Sequence, residues 1–193
     1  MKPKLIIING PLGSGKSTLA QMYADRHQIT LKLDIDQVWE LISGWREEPD
    51  KTTSLAKRMA IAMAEIHLNA GHDVVIPQFF YADSQYVELE NLARKCNADF
   101  YEVFIDIPKH ESIDRYIKRG QAGGNPDGFR PNSIVKKLGG ISKLEEMHDQ
   151  SKAVTDSRPM TIRIVPRFNA LEETYTVFME SLNRTKKSCF KVT

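Results

Sequence analysis

Cysteine is scarce in this chain. Cys96 and Cys189 stand far apart in 193 residues and form no C-x-x-C pair, which argues against a disulfide framework or a cysteine zinc site. The five histidines show no H-E-x-x-H or paired spacing, so a histidine metal centre has no support either. No apolar run approaches the ~20 residues of a membrane span. The opening Met1-Lys2-Pro3-Lys4 leads into only four aliphatic residues, Leu5 to Ile8, too few for a signal peptide. The expectation is a cytoplasmic protein without membrane contact. Charge of one sign is missing too: 27 Lys and Arg face 25 Asp and Glu, and a net charge of +2 gives no global reason to expect nucleic acid as a partner. There is no internal repeat and no low-complexity tract.

What is present is an alternation of short apolar runs with amphipathic stretches, the pattern of a mostly parallel sheet covered by helices on both faces, an α/β protein. Leu5 to Ile8 reads as a strand buried on both faces, Ile29 to Asp34 as the second strand and Asp73 to Ile76 as the third. Ala98 to Ile107 holds a fourth and Met160 to Val165 a fifth. In one helix Leu55, Met59, Ala62, Met63 and Ile66 share a face that reads as core, with Gly71 at the C-terminal cap. In another, Tyr86, Leu89, Leu92, Ala93 and Cys96 repeat behind Asp83, read as the N-cap. Leu171, Tyr175, Phe178 and Leu182 mark the last helix. One domain over residues 1–183 is expected, with 184–193 as a flexible tail.

Gly10-Pro11-Leu12-Gly13-Ser14-Gly15-Lys16-Ser17, followed by Thr18, fits G-x-x-x-x-G-K-[ST] at every fixed position and stands between a buried strand and a helix. Such a loop turns its backbone N–H groups inward and adds the positive end of the following helix, so it cradles a polyphosphate. Lys16 is expected at the β and γ phosphates, Ser17 as a ligand of Mg²⁺ bridging them, and Thr18 as support for the helix start.

The loop, a carboxylate after the second strand and a late arginine-rich segment occur in one order, and in this the chain resembles the small P-loop kinases, a group that includes shikimate and gluconate kinases, chloramphenicol phosphotransferase, polynucleotide kinase and the zeta-toxin kinases. The resemblance implies a P-loop NTPase fold with a five-stranded parallel sheet of order 2-3-1-4-5 and a helical lid, ATP as donor with Mg²⁺, and an acceptor held beyond the second strand. In Leu33-Asp34-Ile35-Asp36-Gln37-Val38-Trp39, Asp36 fits the carboxylate that takes the acceptor's proton, though an N-cap is the competing reading. Trp39 stands where such kinases commonly carry arginine, and with Trp45 it could form a stacking wall for the acceptor. Asp34 is read as a Mg²⁺ or structural partner.

The chain departs from the resemblance at Val74-Val75-Ile76-Pro77-Gln78, where an acidic residue is common and none occurs. Gln78 is read as an acceptor contact or a partner of backbone, and Asp106 as a helix cap near Pro108 rather than a metal ligand. Six of the 11 glycines fall between Gly120 and Gly140, which with Arg115, Arg119 and Arg130 reads as a lid over about 115–140. Arg119 and Arg130 are the candidates to stabilise transferred charge, and Arg115 a further acceptor contact; a solvated cationic helix face is the alternative for each. Arg158 is a weaker candidate for adenine or phosphate. The leading function is a kinase moving the γ-phosphoryl group of ATP to a hydroxyl of a small molecule. A kinase of nucleic-acid ends or nucleotide-sugars and a non-catalytic nucleotide-dependent binding protein are the competitors.

Overall fold

The computed structural model describes residues 2–121, 139–167 and 170–189. Most of the expected lid, Arg130 included, lies outside the described residues.

Strand β1, Lys4–Asn9, is the hub. Its aliphatics Leu5 to Ile8 are 0% exposed, and period-2 geometry sends them to opposite faces. Leu5 and Ile7 join one core and Ile6 and Ile8 the other. The flanking strands are β2 (Leu31–Lys32), β3 (Val74–Pro77), β4 (Asp99–Ile105) and β5 (Ile162–Ile164), all parallel in the order β2-β3-β1-β4-β5. This is the sheet the resemblance implies. Crossovers between parallel strands need helices, and α1 (Lys16–Arg26), α2 (Ile35–Glu40), α3 (Pro49–Asn69), α4 (Asp83–Lys95), α5 (Lys109–Gln121), α6 (Ile141–Asp156) and α7 (Leu171–Cys189) include them. Leu19, Ala20 and Tyr23 of α1 pack with Tyr175, Phe178 and Leu182 of α7 on one face; α2, α3 and α4 cover the other. Leu171, expected beside those α7 residues, is 47% exposed. The backbone of α7 runs to Cys189, so residues 184–189, placed in a tail from the sequence, continue that helix.

Several expectations are corrected. The second strand shrinks from Ile29–Asp34 to Leu31–Lys32, because Ile29 takes φ 58, a left-handed turn that a β-branched residue adopts only under constraint, and Asp34 leaves the ladder to cap α2. The face of α3 is reversed. Leu55, Met59, Met63 and Ile66 are 37–73% exposed, while Thr52, Ala56, Ala60, Ala64 and Leu68 are buried. Alanines at i, i+4 spacing let the helix backbone lie close to the sheet, which larger side chains would prevent. Gly71 does sit past the end of this helix, at φ 87, with its N–H donating to Leu68 O and that of His72 to His67 O, a Schellman closure. In α4 the N-cap position is Ala82; the Gln85 Oε1 accepts from the N–H groups of Tyr81 and Ala82, and Asp83 turns to Arg158 instead.

Candidate active site

The C-terminal ends of β1, β2 and β3 lie side by side, and the chain leaves each toward one crevice. The β1 exit is held by Asn9, which is buried and fully used: its Nδ2 donates to Phe80 O (3.1 Å) and Tyr86 Oη (2.6 Å), and its Oδ1 accepts from the N–H groups of Gly10 (2.7 Å) and Phe80 (3.0 Å). This staple joins the start of the glycine loop to the segment after β3. The sequence reading missed it, although a polar residue ending an aliphatic strand was the available signal.

The loop is built around two glycine positions with opposite demands. At Gly13 (φ 81) an added Cβ would lie 2.5 Å from Ser112 O and 3.0 Å from Tyr116 N, so the loop packs directly on α5. The Ser112 Oγ donates to Leu12 O at 2.6 Å, and Leu12 packs with Ile113, Tyr116 and Leu144, which fixes the contact. At Gly15 (φ 97), the N-cap of α1, nothing lies within 4 Å of the built Cβ, and open space faces the helix N-terminus. Buried Ser14 leaves its Oγ without a partner. An open helix start, an unpartnered hydroxyl and a left-handed glycine suit an incoming anion. Ser17 and Thr18 are exposed on the first turn of α1.

Lys16 folds back over this loop, donating from Nζ to Gly10 O (2.8 Å) and Pro11 O (3.0 Å). Burial pulls its ammonium from an ordinary 10.5 down to about 7, Arg119 pushes the same way by charge repulsion, and Asp36 and Asp34 pull it back up. Four of the candidate residues therefore share one electrostatic neighbourhood. The Asp34 Oδ1 accepts from the Asp36 N–H at 3.1 Å, so Asp34 is the cap of α2 and Asp36 stands exposed in its first turn. The cap reading considered for Asp36 thus belongs to Asp34. Among the described residues no three His, Cys, Asp or Glu cluster into a metal cage. Mg²⁺ needs less, since it keeps several waters, and the Ser17 hydroxyl with Asp34 gives oxygen donors that fit such a hydrated ion.

Trp39 lies one turn beyond Asp36. Its Nε1 donates to Thr52 Oγ1 at 2.8 Å and its ring meets that of Trp45 edge-on at 4.5 Å, with the Arg46 guanidinium 4.2 Å above Trp45. The pair of rings expected from the sequence is present, both half-buried, with Trp39 anchored through its indole N–H.

Arg115, expected as an acceptor contact, sits on α5 beside the loop. It pairs with Glu111 and lines a cavity of about 270 Å³ together with Gly15, Thr18, Pro166, Arg167 and Thr174, on the α1–α7 side of the loop. The β5–α7 wall carries no motif, so sequence reasoning had no means of finding it. Arg119 lies over Tyr116, 5.7 Å from the ring. Arg158 is far from the role considered for it: it is held by Glu102, Asp83 and Glu90 over the Tyr86 ring, and Glu102 above all raises its pKa beyond the ordinary value. Asp106 caps nothing that the structure shows and pairs with Lys152 (3.5 Å) and Arg163 (3.6 Å).

Residues 5–134 match the AAA domain family AAA_33. Over 138 residues the chain is 24% identical to L-seryl-tRNA(Sec) kinase of Methanococcus maripaludis, covering 69% of this chain but only 50% of that protein. Over 155 residues it is 23% identical to cytidine diphosphoramidate kinase of Campylobacter jejuni, 78% of this chain and 83% of that one. A gluconokinase from Sinorhizobium meliloti 1021 superposes with a TM-score of 0.61 over 100% of this chain and 99% of its own, at 14% identity, a likeness of fold. The chain therefore belongs to the AAA domain family AAA_33 and has the fold of the small P-loop kinases.

Proposed function

We propose that this protein is an ATP-dependent phosphotransferase that moves the γ-phosphoryl group to a hydroxyl of a small acceptor. The observation that carries the reading is the glycine loop, where Lys16 Nζ donates to Gly10 O and Pro11 O and the N-terminus of α1 stands open at Gly15. Residues 10–18 hold the phosphates, mostly through backbone, and the cavity beside Thr18 and Arg115 takes the base. Ser17 and Asp34 would hold a hydrated Mg²⁺, which would offset the negative charge of the bound polyphosphate. Asp36, exposed at the crevice, accepts the proton of the attacking hydroxyl, and Lys16 with Arg119 stabilises the charge spread over the transferred group. Incubation with γ-labelled ATP and Mg²⁺ against an acceptor panel, with mass detection of the product, tests this. Binding of ATP with no labelled product from any acceptor would leave a nucleotide-dependent binding protein.

A second reading, an acceptor carrying a nucleotide portion, is favoured by the Trp45 ring, which meets Trp39 and carries the Arg46 guanidinium, since rings and guanidinium suit a base and a phosphate. The names of the two relatives, a tRNA-linked and a cytidine-linked substrate, point the same way. The panel therefore includes nucleotide-linked and RNA-linked hydroxyls beside free sugars and alcohols.

The lowered Lys16 pKa gives a further expected result. Phosphate charge restores the ammonium, so ATP binding takes up about half a proton at pH 7 and nearly one at pH 8.5, where the ligand-free lysine is mostly neutral. Calorimetry in buffers of different ionisation enthalpy reads this directly. Zero uptake at pH 8.5 would show that Lys16 keeps its ordinary pKa.

A further inference from the structure

The residue that replaces the usual strand-end carboxylate has a buried polar atom with nothing to bind. Gln78 follows directly on β3, and β3 lies between β2 and β1. Lys32 stands opposite Val75 and Ile8 opposite Pro77. The Leu33 N–H donates to Val75 O at 2.9 Å before Asp34 turns off to cap α2, and the β1 register continued by one residue brings Asn9 level with Gln78. The Gln78 N–H still donates to Ile8 O at 3.1 Å, so this residue is bound to the edge of β1 at the step where the chain becomes the phosphate loop. Its place is thus between the β2–α2 turn and the start of the phosphate loop.

The Gln78 Oε1 is buried and accepts no hydrogen bond. The donors at the β1 exit and the loop are committed elsewhere: Asn9 Nδ2 to Phe80 O and Tyr86, the Gly10 N–H to Asn9, and Lys16 Nζ to Gly10 and Pro11. An unsatisfied buried acceptor lowers stability, and one that persists at a crevice calls for a donor that arrives with a ligand. Water bound to Mg²⁺ is such a donor, polarised by the metal, and Mg²⁺ releases its waters reluctantly.

We propose that Gln78 is a positioning residue for the metal: its amide oxygen accepts a hydrogen bond from a Mg²⁺-bound water, taking the part of the missing carboxylate. This rests on the nucleotide-binding reading of the loop. A neutral amide orients the hydrated ion without adding a third negative charge beside Asp34 and Asp36.

An acceptor hydroxyl offers the same donor chemistry, and the test separates the two by leaving the acceptor out. ATP binding is titrated with EDTA and with MgCl₂ for wild type, Gln78→Met and Gln78→Glu, and thermal unfolding is recorded without ligand. Gln78→Met keeps the length and removes the amide. Its ATP affinity in EDTA is expected within about twofold of wild type, the gain in affinity on adding Mg²⁺ is expected to fall about fivefold, and its melting temperature is expected to equal or exceed wild type because the orphaned acceptor is gone. Gln78→Glu is expected to reach half-saturation at a lower Mg²⁺ concentration. An unchanged Mg²⁺ response in both variants overturns the role, as does an equal loss of affinity with and without the metal, which marks a damaged loop. A wild-type protein that binds no ATP in either buffer sinks the nucleotide reading itself.

Discussion

Asp36→Asn lowers kcat for phosphoryl transfer by ~10²–10⁴-fold, the usual contribution of a general base, while the ligand-free protein keeps the cap of α2. The second half of that expectation comes from the structure. The cap of α2 is Asp34, whose Oδ1 takes the backbone N–H of residue 36, and asparagine at 36 presents the same N–H. Asp34→Ala is the contrasting variant: it removes the cap at ~0.5–2 kcal/mol and lowers the melting temperature. Because Asp36 helps keep Lys16 charged, its loss lets the lysine pKa fall further, so ATP affinity in Asp36→Asn drops more at pH 8 than at pH 6.5. Turnover of Asp36→Asn close to wild type at pH 6.5 would leave Asp36 without a role in catalysis.

Lys16→Met lowers phosphoryl transfer by at least ~10²–10³-fold, the usual effect of removing one preorganised donor of positive charge. Its stability runs the other way. A lysine whose pKa falls from 10.5 to about 7 on folding costs stability, because the folded state loses a proton that the unfolded chain keeps. At pH 7 the ligand-free variant therefore melts at or above the wild-type temperature. Between pH 7 and pH 10.5 the wild type gains stability relative to the variant, since over that range the unfolded state binds more protons. Unfolding curves of the two proteins at several pH values check the sign. A lysine that merely braced the loop would give a variant less stable at every pH, with no convergence.

Legibility from sequence followed how locally each feature is determined. The phosphate loop was readable because its pattern fills eight consecutive residues and its backbone needs are met there, as where Gly15 takes φ 97 at a helix start; the close approach of Ser112 and Tyr116 to Gly13 was not readable. The sheet was readable from Leu5 to Ile8, since only a strand covered on both faces is aliphatic at every position. The face of α3 was misread because hydrophobicity favours its methionines and leucine, whereas close approach to the sheet selects Ala56, Ala60 and Ala64. Arg158 gave no clue to its partners, because Asp83, Glu90 and Glu102 come from α4 and β4 and meet it only in the folded chain. Asn9 and the wall of Arg167 and Thr174 were hidden for the same reason: their partners lie far away in sequence.

The contact between Trp39 and Trp45 also determines how the protein responds to light. The chain has 2 tryptophans, and their rings touch, so its red-edge emission arises from one corner between α2 and α3. Trp39 is fixed through its indole N–H by Thr52, while Trp45 carries the Arg46 cation on its face. Any molecule that displaces Arg46 from that ring alters quenching at the site one turn from Asp36. Events in the cavity of Arg115 and Thr174, on the opposite side of the sheet's C-terminal edge, have no indole beside them. The protein thus carries a built-in optical probe of the corner between α2 and α3.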